Sequence, residues 1–208
     1  MPLTDKQIAK LSQLQDQNIG VKPEEGCILS GLASKVDAGH AIVEIGTYKG
    51  KSTCWIAMGS KMGHGAHIYA IDLWDTPSGD PGHEELRCKR TYADPKTKQT
   101  FIQQIQDMGV DDLITPIQGF SHKVASTWDK PVGMLFIDGH HAYKSCKLDY
   151  DSWSKYIVPG GYLVFHDNNM KGVKQVIAEL PKDQWGELTT RRFTTYTVRL
   201  SNSDQEGG

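Results

Sequence analysis

VEIGTYKGKST (residues 43–53) begins as an apolar strand and breaks into a glycine turn that opens a helix. It stands close to a phosphate-binding loop, which needs four residues between its first glycine and the Gly-Lys-Ser/Thr element. Here Thr47, Tyr48 and Lys49 make three. Glu44 adds a second argument. A carboxylate beside a phosphate cradle repels the ligand, whereas one near a cationic or hydroxyl-bearing ligand is useful. The next apolar run, HIYAIDLWD, ends in Asp72, where nucleoside-binding α/β folds grip ribose hydroxyls. Glu44 also suits a loop-capping carboxylate and Asp72 a helix cap. Together, with the short turn between them, they favour a nucleoside of neutral or positive charge.

Working outward, Thr4 to Asn18 carries Ile8, Leu11 and Leu14 among polar residues and predicts a helix capped by Thr4 or Asp5. Pro23 suits the first turn of a second helix ending near Val36. Thereafter Ala41–Ile45, Ala66–Ile71, Leu113–Ile117, Val132–Ile137 and Tyr162–Phe165 read as buried strands. Helical patterns at 51–60, 97–108, 121–127, 144–156 and 170–180 alternate with them. This rhythm predicts an α/β fold: a Rossmann-like, doubly wound, mostly parallel sheet with helices on both faces. WGELTTRRFTTYTVRLS at the end reads as an antiparallel strand pair closing the sheet. We therefore expect a single domain over residues 1–200, with N-terminal helices over 1–38 and a tail at 201–208. Residues 73–96, rich in Pro, Gly, Asp and charge, read as a lid-like insertion or a surface loop.

Composition narrows the class. A formal net charge of -2 gives no electrostatic reason to expect nucleic acid. Apolar runs of strand length exclude a transmembrane helix, and the first residues lack a signal-peptide core. Cys27, Cys54, Cys88 and Cys146 form no CxxC pair, so reduced thiols and a cytoplasmic setting are expected. The N-terminal helix is able to pack on its own domain or on a second copy, leaving a homo-oligomer open.

The second half carries the metal chemistry. MLFIDGHHAYKS puts Asp138 at one strand end, and YLVFHDNN puts Asp167 and Asn168 at the next. Two carboxylates and an amide supply three oxygen donors and leave room for a substrate oxygen, which suits Mg²⁺ or a similar divalent cation. Strand-end aspartates also serve as helix caps or as a Walker B element. His141, three residues beyond Asp138, is the candidate base, with its neighbour His140 as competitor. His64, His67, His83 and His122 read as solvated or structural. Trp74, Trp153 and Trp185 read as packing residues, although Trp74 could wall a substrate.

In this ordered set the chain resembles the class I S-adenosylmethionine-dependent methyltransferases. Within them it is most similar to the small metal-dependent O-methyltransferases of the catechol O-methyltransferase type and to bacterial enzymes that methylate sugars of natural products. The resemblance runs from about Glu25 to the last strands. It implies S-adenosylmethionine held at Gly46, with Tyr48 and Ser52 nearby, Glu44 on the methionine side and Lys51 turned to solvent. Asp72 falls on the ribose acid, and Gly119, Phe120 and Ser121 (IQGFSHKVA) fall where the adenine lies. Asp138 borders both the cofactor and the metal. The implied activity is methyl transfer to a hydroxyl of a small polar molecule, and the mixed charges of the 73–96 segment suit such an acceptor. The rival readings are a P-loop-like nucleotide enzyme using Lys51, Ser52 and Asp138, and a relative that binds the cofactor without methylating.

Overall fold

The strand order follows from which faces the apolar runs must bury. In the computed structural model, which describes residues 3–14, 20–74 and 96–201, seven strands form one sheet. They are β1 (Ala41–Ile45), β2 (Ile68–Asp72), β3 (Ile114–Gln118), β4 (Val132–Ile137), β5 (Ile157–Phe165), β6 (Thr189–Arg191) and β7 (Thr194–Val198). Their order is β3-β2-β1-β4-β5-β7-β6. β1 to β5 pair in parallel, and β7 runs antiparallel to both β5 and β6. This is the doubly wound sheet with an antiparallel C-terminal pair that the alternating pattern predicts.

Both faces are covered, as a parallel sheet requires. Ile42, Met134, Phe136 and Val164 pack beneath one helical layer: α1 (Asp5–Ser12), α2 (Pro23–Ala33), α3 (Lys51–Met62) and α4 (Lys96–Met108). Val43, Ile45, Leu135, Ile137, Leu163 and Phe165 alternate with them. They face α6 (Tyr143–Trp153) and α7 (Lys171–Ala178), with the short α5 (Ser121–Ala125) alongside. One-residue alternation along each strand thus feeds two separate apolar cores.

The boundaries differ from the sequence reading in places with a physical cause. α1 stops at Ser12, short of Asn18; residues 15–19 lie outside the described residues. β2 starts at Ile68 because Ile68 is the first residue in register with Ile42 of β1. Ala66 O accepts instead from Ser60 Oγ at 2.6 Å, closing the turn after α3. β5 begins at Ile157 and carries Pro159, Gly160 and Gly161 inside the strand. There the register with β4 shifts, and Arg199 pairs with Gly160 and Gly161 through backbone hydrogen bonds. The lid-like segment falls almost wholly on residues 75–95, and the tail on 202–208, outside the described residues. Among the described residues, no helix is long and apolar enough to cross a membrane. Cys27, Cys54 and Cys146 are free thiols.

Candidate functional site

The sheet reverses direction of growth between β1 and β4, the switch point at which open α/β sheets bind ligands beyond their carboxyl ends. Each strand there passes its chain to a loop tied to the neighbouring strand. Gly46 N donates to Ile71 O, Asp138 N to Ile45 O, Gly119 N to Asp72 O and His166 N to Ile137 O. The sequence-predicted residues of the three glycine-bearing loops are therefore brought to one edge.

On the β1–β2 side the turn itself is the structure. Gly46 has φ +85°, and a side chain there would meet the carbonyl of Asp138 at 2.2 Å, so only glycine closes this turn against β4. Tyr48 follows at φ +49°. The Asp72 carboxylate organises both: Oδ2 accepts from Thr47 N and Tyr48 N, each at 2.8 Å, and Oδ1 from Trp74 N at 2.8 Å. The Leu73 backbone adds a further hydrogen bond, so amides take up most of the carboxylate's acceptor positions. Burial raises the Asp72 pKa against the pull of these amides.

Glu44 lies deeper. It is 0 % exposed, and its two oxygens accept from Ser52 Oγ and Thr53 Oγ1, both at 2.5 Å. Burial pushes its pKa up to about 8, opposed by those two hydroxyls. Glu44 and Ser52 thus hold the first turn of α3 to β1 from beneath, and the half-buried Gly46 and Tyr48 form the surface above. Lys51 departs from the sequence expectation. It is buried rather than turned to solvent, and lines a groove with Ser12, Gln13, Lys22 and Pro23 of the N-terminal helical layer.

Beyond β3, Phe120 is half-buried, with Lys123 Nζ 5.3 Å from its ring centroid. Ser121 is tied down from below: its hydroxyl donates to Asp149 of α6, and its carbonyl accepts from Trp153 Nε1 at 3.2 Å. Asp149, which sequence reading did not single out, is pushed up to about 7 by burial. Trp74 is a packing residue, 1 % exposed against Phe101, with Nε1 donating to Tyr48 O. His67 pairs with Thr115 Oγ1 at 2.7 Å.

The β4–β5 side is ionic. Asp138, His141 and Asp167 each offer a donor atom, and these atoms lie within 4.8 Å of one another. His141 Nε2 is 3.1 Å from Asp167 Oδ2 and 3.8 Å from Asp138 Oδ1. The Asp138 carboxylate raises the His141 pKa. His140 turns elsewhere, Nδ1 lying 3.2 Å from Ser145 Oγ. Burial, and then the charge of His141, lowers its pKa. Asp167 has φ +51°, a conformation Asp tolerates better than most residues and one that recurs at functional sites. The Asn168 amide, expected among the ligands, has Nδ2 anchored on Arg192 O (3.2 Å) and Thr195 Oγ1 (3.0 Å) across the β6–β7 turn.

Two residues beneath this cluster were given no role from sequence. His166 is 5 % exposed, with Nδ1 3.1 Å from Asp138 Oδ1 and Nε2 3.7 Å from Glu25 Oε1. Burial pulls its pKa down, but Asp138, Asp167 and Glu25 prevail and hold it up at about 12. Glu25, near the start of α2, also accepts from Lys22 N and Phe193 N. Burial opposes its ionisation, but His166 and these amides keep its pKa below the usual range. Three carboxylates around one buried imidazolium leave the cluster negative, the electrostatic condition for a cation. The strand-end HDN triplet was the only sequence signal for His166; nothing local pairs Glu25 with it.

Residues 43–168 match the family described as "Methyltransferase domain". Among curated relatives, "Uncharacterized protein R132" of Acanthamoeba polyphaga mimivirus is 28 % identical over 187 residues, 86 % of this chain and 76 % of that protein. "Uncharacterized protein y4gI" of Sinorhizobium fredii is 27 % identical over 67 % of this chain, a match spanning only 15 % of that longer protein. Among solved structures, the O-methyltransferase TomG of Streptomyces achromogenes, in complex with SAM, superposes with TM-score 0.68 at 17 % identity, covering 97 % of this chain and 92 % of its own. The Bacillus cereus O-methyltransferase in complex with SAH gives 0.65 at 16 %, covering 95 % and 92 %. An rRNA methylase from Streptococcus thermophilus gives 0.59 at 13 %, covering 84 % and 95 %. At such identities the superpositions establish the fold. With the family match over the glycine turn, Asp72 and both strand-end aspartates, the chain belongs to the methyltransferase domain family, among the class I S-adenosylmethionine-dependent methyltransferases.

Proposed function

We propose that this protein transfers a methyl group from S-adenosylmethionine to a hydroxyl of a small polar molecule, with a divalent cation beside the acceptor. The observation that carries this reading is the juxtaposition at one sheet edge of an Asp72-organised glycine turn and an acid cluster at Asp138 and Asp167. O-methyltransferases among the structural neighbours support oxygen as the acceptor atom. The net charge of -2 speaks against a nucleic-acid acceptor.

S-adenosylmethionine supplies a methyl group on a sulfonium, and a divalent cation supplies positive charge that acidifies a nearby hydroxyl. The chain's part is positioning. The Gly46–Tyr48 backbone and Asp72 face the methionine and ribose, and Gly119, Phe120 and Ser121 border the adenine. Asp138 and Asp167 orient the acceptor. The hydroxyl proton passes to one of the adjacent histidines, His141 at the acids or His140 against Ser145. The base is the histidine whose alanine variant lowers turnover by ~10²- to 10⁴-fold with unchanged affinity for S-adenosylhomocysteine. Normal turnover in both variants would reject an imidazole base.

The test of the whole reading is calorimetry with S-adenosylhomocysteine and ATP, followed by a screen for methylated products. S-adenosylhomocysteine is expected to bind with or without EDTA, and methyl transfer to stop in EDTA. Tight binding of ATP alone would support a P-loop-like enzyme. Binding of S-adenosylhomocysteine with no methylated product from any hydroxylated metabolite would leave a non-methylating relative. Full turnover in EDTA would remove the cation.

A further inference from the structure

The geometry points to His141 as a protein ligand of the divalent cation, its imidazole completing a site with the carboxylates of Asp138 and Asp167. The inference rests on the proposed reading for the presence of a cation, and it changes the cation's chemistry. From sequence the ligands are all oxygen; from the fold one is nitrogen.

Three observations carry it. The first is convergence. Two bonds of about 2.1 Å at right angles, the octahedral arrangement, put their donor atoms about 3 Å apart. His141 Nε2 and Asp167 Oδ2 stand at 3.1 Å, with Asp138 Oδ1 3.8 Å from the same nitrogen. The second is a misaligned atom. Nε2 of His141 is sealed from solvent and makes no aligned hydrogen bond, although Asp167 is within reach. Its polar neighbours are the two carboxylates, and an absent ion between them is among the ordinary explanations of a buried nitrogen with no aligned hydrogen bond. A general base at this position would need that nitrogen open to the acceptor.

The third is support from outside the donor set. Metal-binding carboxylates are usually held by further hydrogen bonds, and Asp138 Oδ1 lies 3.1 Å from His166 Nδ1. His166 is in turn backed by Glu25. Asp167 is presented by a left-handed backbone conformation rather than by a flexible loop rotamer. These residues orient the acids whether or not an ion is bound.

An imidazole among carboxylates moves preference from Mg²⁺ toward Mn²⁺, Fe²⁺ and Co²⁺, for which nitrogen is a better donor. The test uses full-length protein stripped of metal and titrated with Mn²⁺. Calorimetry gives the affinity, and electron spin-echo spectroscopy of bound Mn²⁺ reports directly coordinated nitrogen-14. Expected are tighter binding of Mn²⁺ than Mg²⁺ and nitrogen modulation in the wild type. His141→Ala should abolish that modulation and weaken Mn²⁺ by at least ~10-fold, whereas His140→Ala should keep it. Circular dichroism and S-adenosylhomocysteine calorimetry on each variant separate loss of the site from loss of the fold. No Mn²⁺ binding, no nitrogen modulation in the wild type, or modulation persisting in His141→Ala would overturn the inference. Because the readout is coordination rather than turnover, it stands or falls separately from methyl transfer. Nitrogen-ligated Mn²⁺ in a protein that does not bind S-adenosylhomocysteine would reject the function and keep the site.

Discussion

Glu44 shows how a residue of the glycine-turn motif can serve the scaffold. Sealed under the turn, it works through Ser52 and Thr53, which fix the start of α3 and hence the path of Gly46 to Tyr48. An unfolded glutamate titrates near ~4.3, whereas folded Glu44 keeps its proton to about 8. Between those values the native state binds the extra proton. Its contribution to stability is therefore complete below the unfolded value and is lost as pH rises through the folded one. Glu44→Gln keeps the shape and removes the titration. Urea unfolding of ligand-free, metal-free protein should show the wild type losing stability relative to Glu44→Gln between about pH 5 and pH 8. A difference that stays flat across that range would mean Glu44 is ionised at neutral pH and faces something other than its two hydroxyls.

At the scale of elements, the helical layer holding the glycine turn is built on close approach. α3 crosses α2 at Gly59, where an added Cβ would lie 2.2 Å from Ser30 O and 2.5 Å from Ser30 Cα. Backbone cannot yield as a side-chain tip can. On an exposed helix, Gly→Ala gains up to ~1 kcal/mol from propensity. Here overpacking should win, so Gly59→Ala is expected to destabilise by about 1–3 kcal/mol in urea denaturation. A stabilised variant would mean the two helices do not meet at this point. The consequence reaches the site, because α3 begins at Lys51, directly after the turn. The β5–β7–β6 end makes a similar connection: Asn168 is pinned to the β6–β7 turn and Glu25 of α2 accepts from Phe193 N in the same turn. The C-terminal strand pair thus braces the ionic cluster as well as closing the sheet.

Across the whole molecule, the two halves of the site come from different halves of the chain and meet because the sheet reverses between β1 and β4. Strand positions, alternation of apolar faces and the strand-end acids were legible in the sequence, because they depend on periodicities of two residues in strands and about 3.6 in helices. The glycine turn was legible for a similar reason: a three-residue gap and a neighbouring carboxylate are local chemistry. Burial was not. Lys51 reads as a solvent-facing lysine until α1 and α2 cover it. Asp72 reads as a free ribose acid until the amides of Thr47, Tyr48 and Trp74 claim most of its acceptor positions. Nor was the direction of adjacent side chains. His140 and His141 are equivalent in sequence, and only the loop between β4 and α6 sends one to Ser145 and the other to the acids. Glu25 and His166 are 141 positions apart, and their pairing exists because α2 packs beside the end of β5. The sequence by itself determined the class I fold and the sheet edge that gathers the candidate residues, since both rest on local pattern. The tertiary structure alone decided which donors converge and which are spent on the scaffold, since long-range packing sets every distance between loops.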